Sequence, residues 1–329
     1  MRRGVELFVL CILACGETLP LSTDQTSVDG GPNGQPDNDG SVNDNDGGGD
    51  GAVTPACDLT KAFVARKLGG DVNSTADESS MTLDDAEQQM FFASARSGVP
   101  RIYVAKRNAA GDFVSATLIT DIAGDGGSVH DPFVAARGDG NLLVFSTDRN
   151  ATAFSFDLWF TQRANAGVGW SAPELVYVSS LDRDEAPFLE SDGTLWFSLG
   201  NGTTEADIFS AKAKFQSYEQ PQFADDPISV DGAEDTSPVL TRDGLRIYFA
   251  TTRRRASGSR QFEIFTATRS KRDESFTDAK PLTDLEGAFD QRPSWISVDG
   301  CRLYFTRRAG GLDASAPGDL EAWIAERPR

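Results

Sequence analysis

A short phrase recurs down this chain: DPFVAARGDGNLLVFSTDR from Asp131, APFLESDGTLWFSLG from Ala186, SPVLTRDGLRIYFATTR from Ser237 and RPSWISVDGCRLYFTRR from Arg292. Each copy reads as a proline, a short strand, a turn ending in Asp-Gly, and an apolar strand with an aromatic pair. The turn aspartates Asp139, Asp192, Asp243 and Asp299 are separated by 53, 51 and 56 residues. A period of that size marks a propeller or a solenoid, because one such unit cannot bury its apolar faces without neighbours. A degenerate copy, SMTLDDAEQQMFFASAR from Ser80, keeps the spacing at 54 residues from Asp85 to Asp139 but lacks the glycine.

Each aromatic strand is followed by a second one: RIYVAKR from Arg101, DLWFTQR from Asp157, DIFSAK from Asp207, EIFTATR from Glu263 and EAWIAER from Glu321. A fourth segment then opens with an aromatic, at Phe113, Trp170, Phe215 and Phe276. Four short strands in about fifty residues make a propeller blade. The last copy ends before a fourth strand, yet FVARKL from Phe63 to Leu68 matches that segment ahead of the first blade. A ring closed by its N-terminal strand leaves no exposed sheet edge. The expectation is an all-β propeller of five blades, with six blades as the alternative. The Asp-Gly turns have a local cause in positive φ and side-chain turn bonds, so they are assigned to folding.

The flanks indicate a compartment. MRRGVELFVLCILACGETLP has the charged, apolar and small-residue order of a secretory signal. Ile12-Leu13-Ala14-Cys15 resembles a bacterial lipobox, which implies lipidation at Cys15, an ordinary cleaved signal being the alternative. Residues 16–55 read as a tether rich in aspartate, glycine and asparagine, which cannot bury enough apolar surface to fold. No glutamate closes a calcium loop after DNDGGGDG, so no metal is expected there. The expected organisation is a signal over 1–15, a tether over 16–55 and a propeller over 56–329, lipid-anchored to the outer membrane in the cell envelope.

Cys57 lies just before the closing strand and Cys301 begins the second strand of the blade it closes. A disulfide between them would staple the ring, by about 5 kcal/mol in the chain-entropy account. The alternative is two unpaired thiols. With 31 basic against 50 acidic residues, a formal charge of −19, the chain has no basic face for nucleic acid.

The phrase of proline, Asp-Gly and an apolar strand ending in Phe-Ser/Ala-Thr resembles the WD40-like repeat of TolB-type β-propellers. It is carried by Pro132/Asp139-Gly140, Pro187/Asp192-Gly193, Pro238/Asp243-Gly244 and Pro293/Asp299-Gly300. The resemblance implies a monomeric periplasmic scaffold or binding domain without cofactor, whose partner is an envelope protein, a peptide or a glycan.

Acidic residues just ahead of the prolines converge on one channel mouth: Glu78, Asp131, Asp184, Glu185, Asp235 and Asp290. The loops after the second strands add Arg96, Arg149 and Arg253 on the same face, with Arg307 in the last blade. These groups read either as structural salt bridges between blades or as a mouth that binds a cation, a sugar or a peptide amine. Five-bladed propellers also include glycosidases that use three acids at the channel mouth, and His130-Asp131-Pro132 resembles one of their motifs. The alternative function is therefore a glycan-active hydrolase using mouth carboxylates. His130 is the only histidine, which excludes a multi-histidine metal site.

Overall fold

The computed structural model describes residues 56–329 apart from 124–126, 138–139, 150–155, 166, 179–182, 201–205, 215–216, 255–260, 288 and 310–319. The signal, Cys15 and the tether lie outside the described residues.

The first strand, β1 (Val64–Lys67), waits for the end of the chain. Blade 1 is β2 (Glu78–Leu83), β3 (Gln89–Ser94), β4 (Arg101–Arg107) and β5 (Phe113–Leu118). Blade 2 is β6 (Val129–Arg137), β7 (Gly140–Thr147), β8 (Asp157–Arg163) and β9 (Glu174–Leu175). Blade 3 is β10 (Arg183–Leu189), β11 (Leu195–Gly200) and β12 (Ala206–Ala211), then a small hairpin of β13 (Ala213–Lys214) and β14 (Ser217–Tyr218), and finally the outer strand β15 (Gln222–Phe223). Blade 4 is β16 (Asp235–Leu240), β17 (Arg246–Thr251), β18 (Glu263–Thr268) and β19 (Thr277–Pro281). Blade 5 is β20 (Phe289–Ile296), β21 (Arg302–Ala309) and β22 (Leu320–Glu326), and β1 completes it from the other end of the chain. The ring therefore has five four-stranded blades, and the N-terminal strand closes it.

Closure rests on local chemistry. β1 pairs antiparallel with β22 from Val64↔Glu326 to Lys67↔Trp323. Phe63 is buried under the Arg327 guanidinium, 4.2 Å from the ring centroid. Cys57 and Cys301 are joined as a disulfide with Cα atoms 5.8 Å apart, which fixes the segment ahead of β1 to the turn of blade 5. The middle strands carry the core, since neighbouring blades cover both faces: Phe91, Phe92, Phe145, Phe197, Phe249 and Phe305 are fully buried. Each contributes about 1.5–3 kcal/mol by leaving water.

In the first blade the turn is offset by one residue from the sequence expectation. Glu87 N–H donates to Asp84 O as Gly244 N–H donates to Thr241 O, so Glu87 stands at the glycine position with φ +53°. Ala86, not Asp85, is the counterpart of the turn aspartate. Glu87 tolerates that backbone because Arg107 and Arg302 both engage its carboxylate, and the second of these comes from blade 5.

Every inner strand carries a bulge at the same place. Between Ser79↔Ala93 and Thr82↔Phe91 the inner strand advances three residues against two, and blades 2, 3, 4 and 5 do the same after His130↔Ser146, Glu185↔Ser198, Thr236↔Ala250 and Arg292↔Thr306. Ser80, Asp131, Ala186 and Ser237 take left-handed φ values of 54°, 46°, 50° and 55°, each one residue before Met81 or a proline. In blade 5 that place is filled by Pro293, whose ring forbids positive φ, and the irregularity moves to Ser294. Bulges of this kind bend a strand and re-aim a side chain, which matters here because they surround the channel mouth.

Candidate functional site

A cavity of about 370 Å³ opens where the five inner strands meet. Two residues per blade build its wall. Ser79, His130, Glu185, Thr236 and Arg292 form one ring, and the next residues, Ser80, Asp131, Ala186, Ser237 and Pro293, form the other. Normal strand alternation would send consecutive side chains to opposite faces. The bulge and the left-handed φ let both positions reach the cavity.

Parity also decides which sequence candidates reach it. Among those named from the sequence, Asp131 and Glu185 line the cavity, whereas Glu78, Asp184, Asp235 and Asp290 do not. Glu78, Asp184 and Asp235 sit one residue before the inner ring, point the other way and are fully buried. Glu78 accepts from Ser74 and Ser94 hydroxyls and pairs with Arg96 at 3.3 Å. Asp235 pairs with Arg253 at 2.8 Å and accepts the Val230 N–H. Asp290 is buried, accepting the Phe262 N–H at 3.2 Å, with Arg292 at 3.5 Å.

Arg96, Arg149 and Arg253 repeat one architectural device. Arg96 lies over Phe92 and Tyr103, at 5.1 and 5.0 Å, and donates to Asp71 O and Val72 O. Arg253 lies over Phe249 and Phe265, both at 5.1 Å, and donates to Pro227 O and Ile228 O. Arg149 lies over Phe145 and Trp159 and donates to Ile122 O. Each clamps the carbonyls of a loop that leads into an inner strand, and none lines the cavity. Arg307 is similarly stacked on Phe289, Phe305 and Trp323.

On the cavity wall the carboxylates of Asp131 and Glu185 have different surroundings. Asp131 accepts the Ser80 hydroxyl at 2.6 Å, the Ser146 hydroxyl at 3.0 Å and the Ala186 N–H at 3.3 Å, so blades 1, 2 and 3 all hold it. Three donors from three blades hold this carboxylate in one place. Glu185 is half-buried and has one direct partner, Arg183, at 2.6 Å. Burial pushes its carboxyl above the usual range, the negative charge of Asp131 pushes further, and Arg183 and Arg292 oppose both. Two carboxyls in such different surroundings, one fixed by three donors and the other pushed by burial toward its protonated form, are placed to take different roles.

His130 stacks edge-on against Phe156 at 5.2 Å, and burial lowers its pKa, with Asp131 opposing. Arg183, Arg292, Asp77 and Glu234 complete the charged part of the wall, Ser79, Ser80, Thr236, Ser237 and Ser294 add hydroxyls, and Ala93, Pro100, Phe262 and Leu320 are among its apolar residues. The sequence marked His130 only through the His130-Asp131-Pro132 motif and did not single out Arg183 or Arg292. The signal that finds them is their place in the strand register, one residue ahead of the bulge position for His130 and Arg292 and three for Arg183. Among the described residues no group of three histidine, cysteine or acidic side chains is arranged to hold a metal ion.

No protein-family model matches this chain, and no curated protein sequence matches it. Solved structures do superpose on it. The alpha-L-arabinofuranosidase from Lactobacillus brevis covers 78% of this chain with 91% of its own, at TM-score 0.56 and 9% identity. The native arabinanase of Bacillus subtilis covers 80% with 97% of its own, at TM-score 0.52 and 13% identity. The Podospora anserina alpha-L-arabinofuranosidase, solved with cellotriose, covers 83% with 98% of its own, at TM-score 0.51 and 12% identity. The shared feature is the five-bladed ring. The expected TolB-type kinship is overturned by these neighbours, which are arabinofuranosidases and arabinanases. The physical reason is that proline and Asp-Gly mark the inner-strand bulge and the first hairpin, which any blade of this build needs. The phrase reported a blade and not a lineage.

Proposed function

We propose that this chain is a glycan-active propeller that hydrolyses a glycosidic bond in the cavity, with Glu185 as the proton donor. The observation that carries it is the unequal pair Asp131 and Glu185 on one cavity wall. Hydrolysis needs an acid that is still protonated near neutral pH and a carboxylate on the opposite side of the sugar. Burial and the Asp131 charge push the Glu185 carboxyl toward its protonated form, and Arg183 orients it. Asp131, saturated by Ser80, Ser146 and Ala186, acts as the stationary charge. Asp77 and Glu234, on the same wall, are the candidate bases for the attacking water. The hydroxyl-lined part of the wall suits the sugar's own hydroxyls. The kinship in fold with arabinofuranosidases and arabinanases supports a polysaccharide of that kind, such as arabinan, as the first substrate to try.

One observation favours a second reading, a propeller that binds a glycan without cleaving it. Blade 1 places Ser79 and Ser80 where blades 2 and 3 place Asp131 and Glu185, so the two inner rings hold two carboxylates. The test is release of reducing ends from arabinan and xylan by the full chain, alongside binding to the same polymers. Release that disappears in Glu185→Gln supports hydrolysis. Binding without release at any pH from about 4 to about 8, a span covering the carboxyl range and its raised extension, would leave only the binding reading.

A further inference from the structure

Most arginines near the ring axis are consumed by architecture. Arg96 and Arg253 each share their donors among two backbone carbonyls, a hydroxyl and a buried carboxylate. Arg183 and Arg292 are different. Both line the cavity; Arg183 touches Glu185, and the charge of Arg292 also acts on it. Arg183 lies 4.8 Å over Phe156 and Arg292 lies 4.4 Å over Phe262, so each guanidinium is held flat by an aromatic face. Among the described residues each makes a single ion pair, Arg183 with Glu185 at 2.6 Å and Arg292 with Asp290 at a long 3.5 Å. Their side chains are 40% and 34% exposed, against 20% and 15% for Arg96 and Arg253, so their terminal N–H groups are the more open to a ligand.

Blade architecture does not call for an arginine at either place. Asp77, Glu234 and Asp290 occupy the Arg183 position in blades 1, 4 and 5, and Ser79, His130, Glu185 and Thr236 occupy the Arg292 position in the other blades. A stacked guanidinium with spare donors is pre-organised to read a planar carboxylate through paired N–H bonds.

We propose that Arg183 and Arg292 form a carboxylate-reading subsite beside Glu185, and that the glycan taken into this cavity carries a uronate beside the sugar placed at Glu185. The inference rests on the cavity being a glycan site and does not require that the glycan be cleaved. The negative wall does not oppose it. Asp131 is already engaged by three donors, burial pushes the Glu185 carboxyl toward its protonated form, and the two guanidiniums face the charges of Asp77 and Glu234 on the same wall.

The experiment is calorimetric titration of the full chain with D-glucuronate, D-galacturonate, D-glucose and inorganic phosphate. At least one uronate binds about tenfold tighter than glucose, and that preference shrinks between about 50 and about 500 mM salt, as an ionic contact requires. Arg183→Gln and Arg292→Gln each lower uronate affinity about tenfold and lower glucose affinity much less, so the preference for the uronate is lost. Arg→Lys at either position retains the charge without the fork and falls between, and these variants decide the matter if the glutamine ones do not fold. Uronate binding no tighter than glucose, uronate affinity indifferent to both positions, or phosphate bound as tightly as the uronate would each overturn the subsite. Arabinan cleavage without any uronate preference removes the subsite alone. Uronate binding without cleavage of any glycan leaves the subsite standing and removes the catalytic reading.

Discussion

Ser80 donates its hydroxyl to Asp131 at 2.6 Å, a bond between the bulge residue of blade 1 and the bulge residue of blade 2. Both residues hold left-handed backbone, and each is stabilised there by a neighbouring blade. The Ser80 N–H reaches Thr306 of blade 5, and the Ala186 N–H reaches Asp131 in turn. The cavity wall is thus also the seam between blades.

Ser80→Ala removes one donor from the Asp131 carboxylate. Bonds to charged groups are worth about 1.5–3 kcal/mol, so the urea midpoint falls by a corresponding amount. An unchanged midpoint would show that the seam carries no stability.

Arg253→Met breaks the pair with the fully buried Asp235 and abandons Pro227 O and Ile228 O. Leaving a buried charge without its partner costs about 3–5 kcal/mol. The double variant Arg253→Met with Asp235→Leu recovers part of that loss, measured by denaturant unfolding. If the double variant is no better than the single, the buried charge is not the cause.

His130 is the sole histidine, which makes it directly observable by NMR. Burial lowers its folded pKa, so between about pH 6.5 and that lower value the unfolded chain binds more protons. Stability from this group is therefore present above about pH 6.5 and falls as pH drops through the window. His130→Asn flattens that part of the stability curve. A histidine titration at or above the ordinary value would contradict the burial.

Reducing the Cys57–Cys301 disulfide frees a loop whose ends are 244 residues apart in sequence. Chain entropy gives about 5 kcal/mol for a loop of that length, so Cys57→Ser with Cys301→Ser lowers the midpoint strongly while leaving the sheets in place. Loss of less than about 1 kcal/mol would mean that β1 pairing alone fixes the closure.

The blade count and the closing strand were legible in the sequence because both follow from repeated, local patterns: Phe63 matches Phe113 and Phe276, and all three are buried. The site was legible only in part. Asp184 and Glu185 are adjacent acids of similar appearance, and strand parity sends one into the core and the other into the cavity. That parity depends on where the ladder skips a residue, which no residue type announces: Pro187 follows the left-handed residue, whereas Pro293 stands in its place. Likewise Arg183 looks like any charged residue near a turn until the register sets it beside Asp77 and Glu234 of other blades.

The central claim is that Glu185 delivers the proton to the leaving sugar. The most direct measurement compares the wild-type full chain with Glu185→Gln on a natural arabino-oligosaccharide and on an aryl glycoside whose leaving group needs no proton. The account predicts that Glu185→Gln loses about 10²–10⁴-fold on the oligosaccharide and far less on the aryl glycoside. The wild-type rate on the oligosaccharide should fall as pH rises through the raised Glu185 pKa, and Asp131→Asn should bring that fall to lower pH by removing the neighbouring negative charge. Equal losses on both substrates, or full activity of Glu185→Gln on the oligosaccharide, would contradict it.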